Sequence, residues 1–218
     1  MQPTPRSAGI TVHVRPAGSR AELREFTRWH RLAGVPQARQ AGRNLVDVSD
    51  AGILSTGLTR SYAHSVHNGS TPGSVPTVLA ARTMALVALA DGRPIGGLSA
   101  GPSFFVCAQI AALGPALALQ AALTTIKIHA LAVQPGYQRH GIGTVLLRHA
   151  LTTARNAGAR IVYGQFDTSS SGVAAFYRHS GINLSEPGAP LDLDALIDLP
   201  AIIASLPGET LFHQVMNQ

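Results

Sequence analysis

Polar and apolar positions along the 218-residue chain change period several times, and each change predicts an element. Over residues 10–15 they alternate singly, as in a strand with one covered face. Over 20–32 apolar positions recur at helical spacing behind Ser19, whose hydroxyl can cap the first turn, with Glu22 three positions on. Gly34-Val35-Pro36 stops that helix. Residues 37–76 hold no sustained period; a short helix is expected near 59–67, then a loop at 68–73. Residues 84–89 and 95–100 are apolar arms around Asp91-Gly92, a hairpin signal. A strand at 128–133 precedes a helix at 143–157, with Val145, Leu146, His149, Ala150, Thr153 and Ala154 on one face and Gly158 at its end. Residues 160–166 read as a strand, 173–180 as a helix, 187–207 as a variable intervening segment with apolar Leu, Ile and Ala, and 210–216 as a final antiparallel strand. Strands interleaved with helices predict an α/β fold.

The stretch 94–126 carries no charged residue or histidine, and 104–123 is mostly apolar. That length reaches what a bilayer span needs, about 20 residues. It lies between strands that must pair in one sheet, however, so two short buried helices broken at Gly114-Pro115 are expected, packed on the core or offering an apolar substrate or dimer surface. No membrane partner follows from it, while a homodimer is compatible with it. With 45% hydrophobic residues the chain can bury one good core. The expected organisation is a leader at 1–9, disordered and without a signal peptide's apolar centre, and a single domain at 10–218 with insertions at about 35–80 and 104–125. The single cysteine, Cys107, excludes an internal disulfide framework and fits a reducing, cytoplasmic setting. The arginine and alanine bias fits a GC-rich bacterial source.

Charge points to an anionic ligand. The formal net charge is +6, and Lys127 is the only lysine among 17 basic residues. The arginines are scattered, without the aromatic-interleaved run of a nucleic-acid face, so no DNA partner is expected. The most informative stretch is Val133-Gln134-Pro135-Gly136-Tyr137-Gln138-Arg139-His140-Gly141-Ile142-Gly143-Thr144. An apolar strand enters a Pro/Gly turn and then glycines where a helix begins. N–H groups at a helix start have no partner within the helix and carry the positive end of its dipole. Glycines let a bulky anion approach them. The ending is not that of a P-loop, and the spacing is not that of a dinucleotide fold.

Gln138-x-x-Gly141-x-Gly143 resembles the acetyl-CoA signature Gln/Arg-x-x-Gly-x-Gly/Ala of the GCN5-related N-acetyltransferases, the GNAT family. Residues 128–133 resemble that family's central strand, and Val133-Gln134-Pro135 its exit. Ala174-Ala175-Phe176-Tyr177-Arg178-His179-Ser180-Gly181-Ile182 is similar to its Phe-Tyr-x-x-x-Gly-Phe segment. The resemblance covers about 126–182. It implies a GNAT-type mixed, mostly antiparallel sheet flanked by helices and splayed at its central strands, with acetyl-CoA as co-substrate. The pyrophosphate would lie on the amides of Gln138, Arg139, His140, Gly141, Ile142, Gly143 and Thr144. Main-chain groups of Leu131, Ala132 and Val133 would meet the pantetheine and the acetyl carbonyl. Tyr177 falls where the family commonly places the general acid beside the CoA sulfur; the alternative is a packing and CoA-contacting role. Where relatives often have a pantetheine-binding asparagine, this chain has Asp167-Thr168-Ser169-Ser170-Ser171. Ser170 is the substitute, or else a helix cap.

Acyl transfer to an amine needs an acceptor for the amine's proton. Many relatives carry a glutamate on the central strand; Lys127 and His129 occupy that region here. Single alternation puts His129 on the face of Leu131 and Val133, as a base or as a hydrogen-bonded structural histidine. Glu22 and Glu25 are alternative bases. His64 and His67 have helical spacing but no further ligand, so no metal site is expected. The resemblance implies direct transfer of acetyl from acetyl-CoA to a primary amine of a small molecule, antibiotic or peptide. Two alternatives stand beside it: an aminoacyl-tRNA acetylating toxin, the one route by which RNA enters, and a CoA-binding regulatory protein without turnover.

Overall fold

The computed structural model describes residues 11–71 and 73–216; the expected leader at 1–9 and Ile10 lie outside the described residues. In chain order the elements are β1 (Val12–Pro16), α1 (Arg20–Leu32), α2 (Ala38–Asp50), α3 (Arg60–His67), α4 (Val75–Ala81), β2 (Met84–Ala90), β3 (Arg93–Gly101), α5 (Phe104–Ala111), α6 (Pro115–Thr124), β4 (Thr125–Val133), α7 (Ile142–Asn156), β5 (Ile161–Asp167), α8 (Ser171–His179), β6 (Asn183–Leu184), β7 (Leu191–Asp192), α9 (Leu193–Ile197), β8 (Ile202–Ile203) and β9 (Glu209–Val215). Among the described residues a seven-stranded sheet runs β1-β2-β3-β4-β5-β9-β6, and β7 pairs with β8 separately. All neighbours in the large sheet are antiparallel except β4 and β5.

Local chemistry explains most of the element ends. Ser19 accepts from the Glu22 amide at 3.2 Å and caps α1, a contact worth about 1 kcal/mol. Glu22 reaches back to the Gly18 amide at 2.8 Å, one residue short of a capping box. Asp91 (φ 49°) and Gly92 (φ 72°) make the tight β2–β3 turn in left-handed geometry. The apolar stretch folds as expected into two helices, with Gly114 (φ 128°) before α6 and Pro115 opening it. No helix among the described residues is long and apolar enough to cross a membrane.

Two expectations need correction. The 37–76 stretch is mostly helical, because α2 and α4 form beside the expected α3. In α2, Gly42 lies against α1: a Cβ there would sit 2.2 Å from Thr27 Oγ1, so the glycine serves close helix packing. On α7 the buried face is Ile142, Leu146, Leu147, Ala150 and Ala154, while Val145 is exposed. That face is rotated relative to the one predicted, turning Ile142 and Leu147 rather than Val145 onto the sheet core.

The sheet's two faces carry different layers. On one, β2, β3 and β4 pack through Leu86, Leu98, Ile126 and Ile128 against Leu146, Leu147 and Ala150 of α7 and Tyr177 of α8. On the other, Ala85, Val87 and Ala132 meet Leu23, Phe26 and Trp29 of α1 and Leu45 and Val46 of α2. Beyond β4 that second face is covered by Cys107 and Ile110 of α5, Ala121 of α6 and Ile197 of α9 over Tyr163 and Leu211. Burial raises the Cys107 thiol to about 11, so it packs as a small apolar group. Arg82, wholly buried, binds the layers together. It donates to the carbonyls of Gly57 (3.1 Å), Ala157 (3.1 Å) and Leu123 (2.7 Å). Two of these end α7 and α6, where carbonyls bear the helix's partial negative charge, so the cation is compensated without a carboxylate. Burial lowers it only to about 10, and it stays charged at neutral pH.

Candidate functional site

The sheet opens at its one parallel pair. β4 and β5 are registered only at Thr125–Ile161, Ile126–Val162 and Lys127–Tyr163, although both strands continue. Past Lys127 the β5-facing edge of β4 has no ladder partner, and backbone groups there are available to a ligand. Leu131, Ala132 and Val133 lie on this stretch, still paired on their other edge with Leu98, Gly97 and Gly96.

At the end of β4 the chain turns through Pro135–Tyr137 and enters α7. Arg139 (φ 61°) and Gly141 (φ 77°) are both left-handed, on either side of His140. Alternation of this kind turns successive N–H groups toward one concavity. The amides of residues 139–144 donate to no protein acceptor among the described residues; the first intrahelical bond comes from Val145 to Gly141. Gln138 spends its side chain on the loop, donating from Nε2 to the Val133 carbonyl at 3.0 Å, and His140 Nδ1 lies 2.8 Å from the Gln138 carbonyl. The two signature glycines do separate jobs. Nothing stands within 4 Å of a Cβ on Gly141, so its left-handed φ is what demands glycine. A Cβ on Gly143 would lie 3.3 Å from Phe176 and 3.6 Å from Leu131, so here the demand is for space. The helix start, the central strand and the second motif thus meet at one place.

Tyr177 is 6% exposed. Its ring stacks on Phe212 at 3.9 Å, with Phe176 at 5.0 Å and Phe166 at 5.7 Å. Gly164 makes room for this stack, since a Cβ there would sit 2.4 Å from Phe212. Burial raises the phenol above its ordinary value, and it is protonated at any working pH. Ser170 stands before α8 with its hydroxyl making no capping bond. Asp167 instead holds that turn, accepting from the Ser169 amide (2.8 Å) and hydroxyl (2.6 Å).

The single alternation expected along β4 does not run through it. Ser99 is opposite Ala130 and Ala100 opposite Ile128, leaving His129 as the extra residue of a bulge. Ile126 and Ile128 therefore share a cluster with Leu131 and Val133, and His129 is not on their alternation. It falls instead within reach of Lys127 and of His30 on α1. Its side chain keeps access to solvent while the surrounding protein crowds its ring. That desolvation lowers the imidazole to about 4, with the charges of Lys127 and His30 adding to the effect. His30 is buried, and its Nε2 lies 2.7 Å from Ser99 Oγ. Tyr163 stands beside Lys127 in register and beside Ser103. Sequence reasoning missed His30 and Ser99 altogether. Glu22 is held by Arg15 at 2.6 Å, which lowers its carboxylate and ties it to the surface of α1.

The tyrosine and the histidine thus approach the opening from opposite faces of the sheet. A family profile described as the acetyltransferase (GNAT) family matches residues 64–182. No curated protein matches the sequence significantly. Among solved structures, the chain resembles a Desulfovibrio desulfuricans protein assigned to the GNAT family (TM-score 0.56, 16% identity, 94% of this chain and 99% of that one). It resembles yncA from Salmonella typhimurium, solved with its cofactor acetyl-CoA (TM-score 0.53, 13% identity, 95% of each chain). It also resembles the ribosomal-protein-S18-alanine N-acetyltransferase of Escherichia coli (TM-score 0.52, 11% identity, 95% of this chain and 96% of that one). At such identities the likeness is one of fold, and it extends over nearly the whole length. The profile spans more than half of the sequence, and the chain belongs to the acetyltransferase (GNAT) family.

Proposed function

We propose that this protein transfers acetyl from acetyl-CoA directly to a primary amine of a small molecule, antibiotic or peptide. The observation that carries the reading is the run of unpartnered amides at 139–144 beside the opened β4 edge. A diphosphate on those amides and the Arg139 charge leaves the pantetheine to follow the free edge at Leu131, Ala132 and Val133, with Ser170 on its far side. The thioester then lies in the gap between β4 and β5, which both faces of the sheet can reach.

Chemistry follows from what stands on each face. The amine nitrogen forms a bond to the acetyl carbonyl carbon, the carbon–sulfur bond breaks, and the sulfur leaves with its electron pair. Tyr177, protonated and buried, donates a proton to that sulfur. Main-chain groups of the open β4 edge stabilise the carbonyl oxygen as its charge grows. His129 takes the amine's proton directly or through water. With its imidazole lowered to about 4 it is neutral at working pH and able to accept, though weakly basic. The lowered value also keeps positive charge away from the approaching amine.

Free-thiol release from acetyl-CoA over a panel of amines, with mass spectrometry of the acceptors, tests the reading. Acceptors heavier by one acetyl group are the expected result. Thiol release that does not depend on any amine would overturn it.

A further inference from the structure

This inference rests on the acetyl-transfer reading and concerns the acceptor's chemistry. On the face of the sheet opposite α7, four elements place polar side chains around the start of the opening. These are Lys127 and His129 of β4, Ser99 of β3, His30 of α1, and Tyr163 and Gln165 of β5. One carboxylate faces them, Glu209 of β9, and it is already engaged. It accepts from Gln165 Nε2 at 3.0 Å and from the Leu206 amide at 3.2 Å.

Lys127 is half-buried here. Among the described residues no carboxylate lies within salt-bridge distance of it, and its ammonium makes no side-chain hydrogen bond. Burial lowers its pKa, and the more distant Glu209 only partly opposes that. A cation taken part-way out of water is costly unless something pairs with it. Its neighbours His129 and His30 do not help, being potential cations themselves. It is also the chain's only lysine, standing where period and register aim it at the acceptor side of the sheet. Arg82, by contrast, is more deeply buried and has three carbonyls. Lys127 has none of that compensation.

We infer that Lys127 receives an anionic group of the acceptor, so that the substrate is an amine that also carries a carboxylate or a phosphate. Leu131, the first residue of the free edge used in the proposed reaction, is four residues farther along β4 but only three partner steps along β3 because of the bulge, about 10 Å. The anion therefore sits several bonds from the reacting nitrogen, not on the adjacent carbon. Polycationic acceptors are disfavoured by the same charges.

Because Lys127 is unique, protein labelled with 13Cε-lysine gives one side-chain resonance that reports this site without turnover. It is titrated, with CoA present, by short ω-amino acids, their carboxamides and the matching aminoalkyl phosphates. The expected result is a saturable shift with the acids or the phosphates and none with the carboxamides, whichever anion moves it more being the preferred group. Acetylation should follow, with kcat/KM for the anionic acceptor exceeding that for its carboxamide by about 10- to 100-fold. That ratio should collapse toward one in Lys127→Met and be largely kept in Lys127→Arg. A resonance unmoved by every anion, or a ratio unchanged in Lys127→Met, overturns the inference while leaving acetyl transfer standing. A resonance that responds to anions in a protein that acetylates nothing supports the anion site and removes the transfer reading.

Discussion

The two faces of the sheet meet at one gap but are built by different means. The α7–α8 face relies on backbone: six amides without acceptors, a free strand edge, and aromatic rings packed where glycines leave room. The α1–α5 face relies on individual side chains, His30, Ser99, Lys127 and His129, brought together from three separate elements. A backbone site holds any ligand with the right phosphate geometry and tolerates much sequence change. A side-chain site is rewritten by one substitution. In the proposed reaction the first face takes the acetyl donor, and the second sets the acceptor.

The largest expected effect separates the faces at the chemical step. Tyr177→Phe keeps the ring stack on Phe212 and removes only the hydroxyl. We expect kcat to fall by about 10²- to 10⁴-fold, as for a lost general acid, with CoA affinity unchanged by calorimetry. An unchanged kcat would make Tyr177 a packing residue. Next, Gly143→Val drives its side chain into Phe176 and Leu131 and should weaken CoA binding by about 10²-fold, roughly 2.7 kcal/mol. If affinity survives in folded variant, the donor is held elsewhere. Arg82→Met loosens both faces together, since its carbonyl partners end α6 and α7. It should cost about 2 kcal/mol in denaturant unfolding, while kcat/KM measured in the cold stays close to that of the parent.

The smallest effect belongs to His129. Its folded pKa of about 4 lies below the ordinary 6.5, so between those values the unfolded chain binds a proton that the folded chain does not. Its contribution to stability is therefore complete above about pH 6.5 and lost as pH falls toward about 4. His129→Ala should flatten that part of the stability–pH curve. If the imidazole is the base, the variant loses about 10-fold in kcat, a modest loss because the base is weak. Parent activity should also hold through pH 6 and decline only below about 5. A parent profile breaking near 6.5 would contradict the lowered value.

The same contrast governs what the sequence could reveal. Features carried by neighbouring residues were readable: the Ser19 cap, the Asp91-Gly92 turn, the break at Gly114-Pro115 and the glycine-bearing helix start. Those depending on distant partners were not. α2 begins at Gln37 without a side-chain cap and carries Gly42 for contact with Thr27, so its local signal is weak. α4 is only seven residues long, and β7 and β8 only two each, too short for a period to register. The β4 bulge has no signature of its own, because it is a difference in register between two strands. Without it the alternation misplaces His129. Nor could spacing announce that His30 would meet Ser99 and that both His30 and Lys127 would lie near His129, since folding alone makes them neighbours.

In the proposed function a CoA thioester docks on the amides that precede and open α7. Isothermal titration of folded protein with acetyl-CoA tests it most directly, with Gly143→Val as the comparison. One saturable site is expected on the parent, with binding about 10²-fold weaker in the variant. An absence of saturable binding by the folded parent would contradict it.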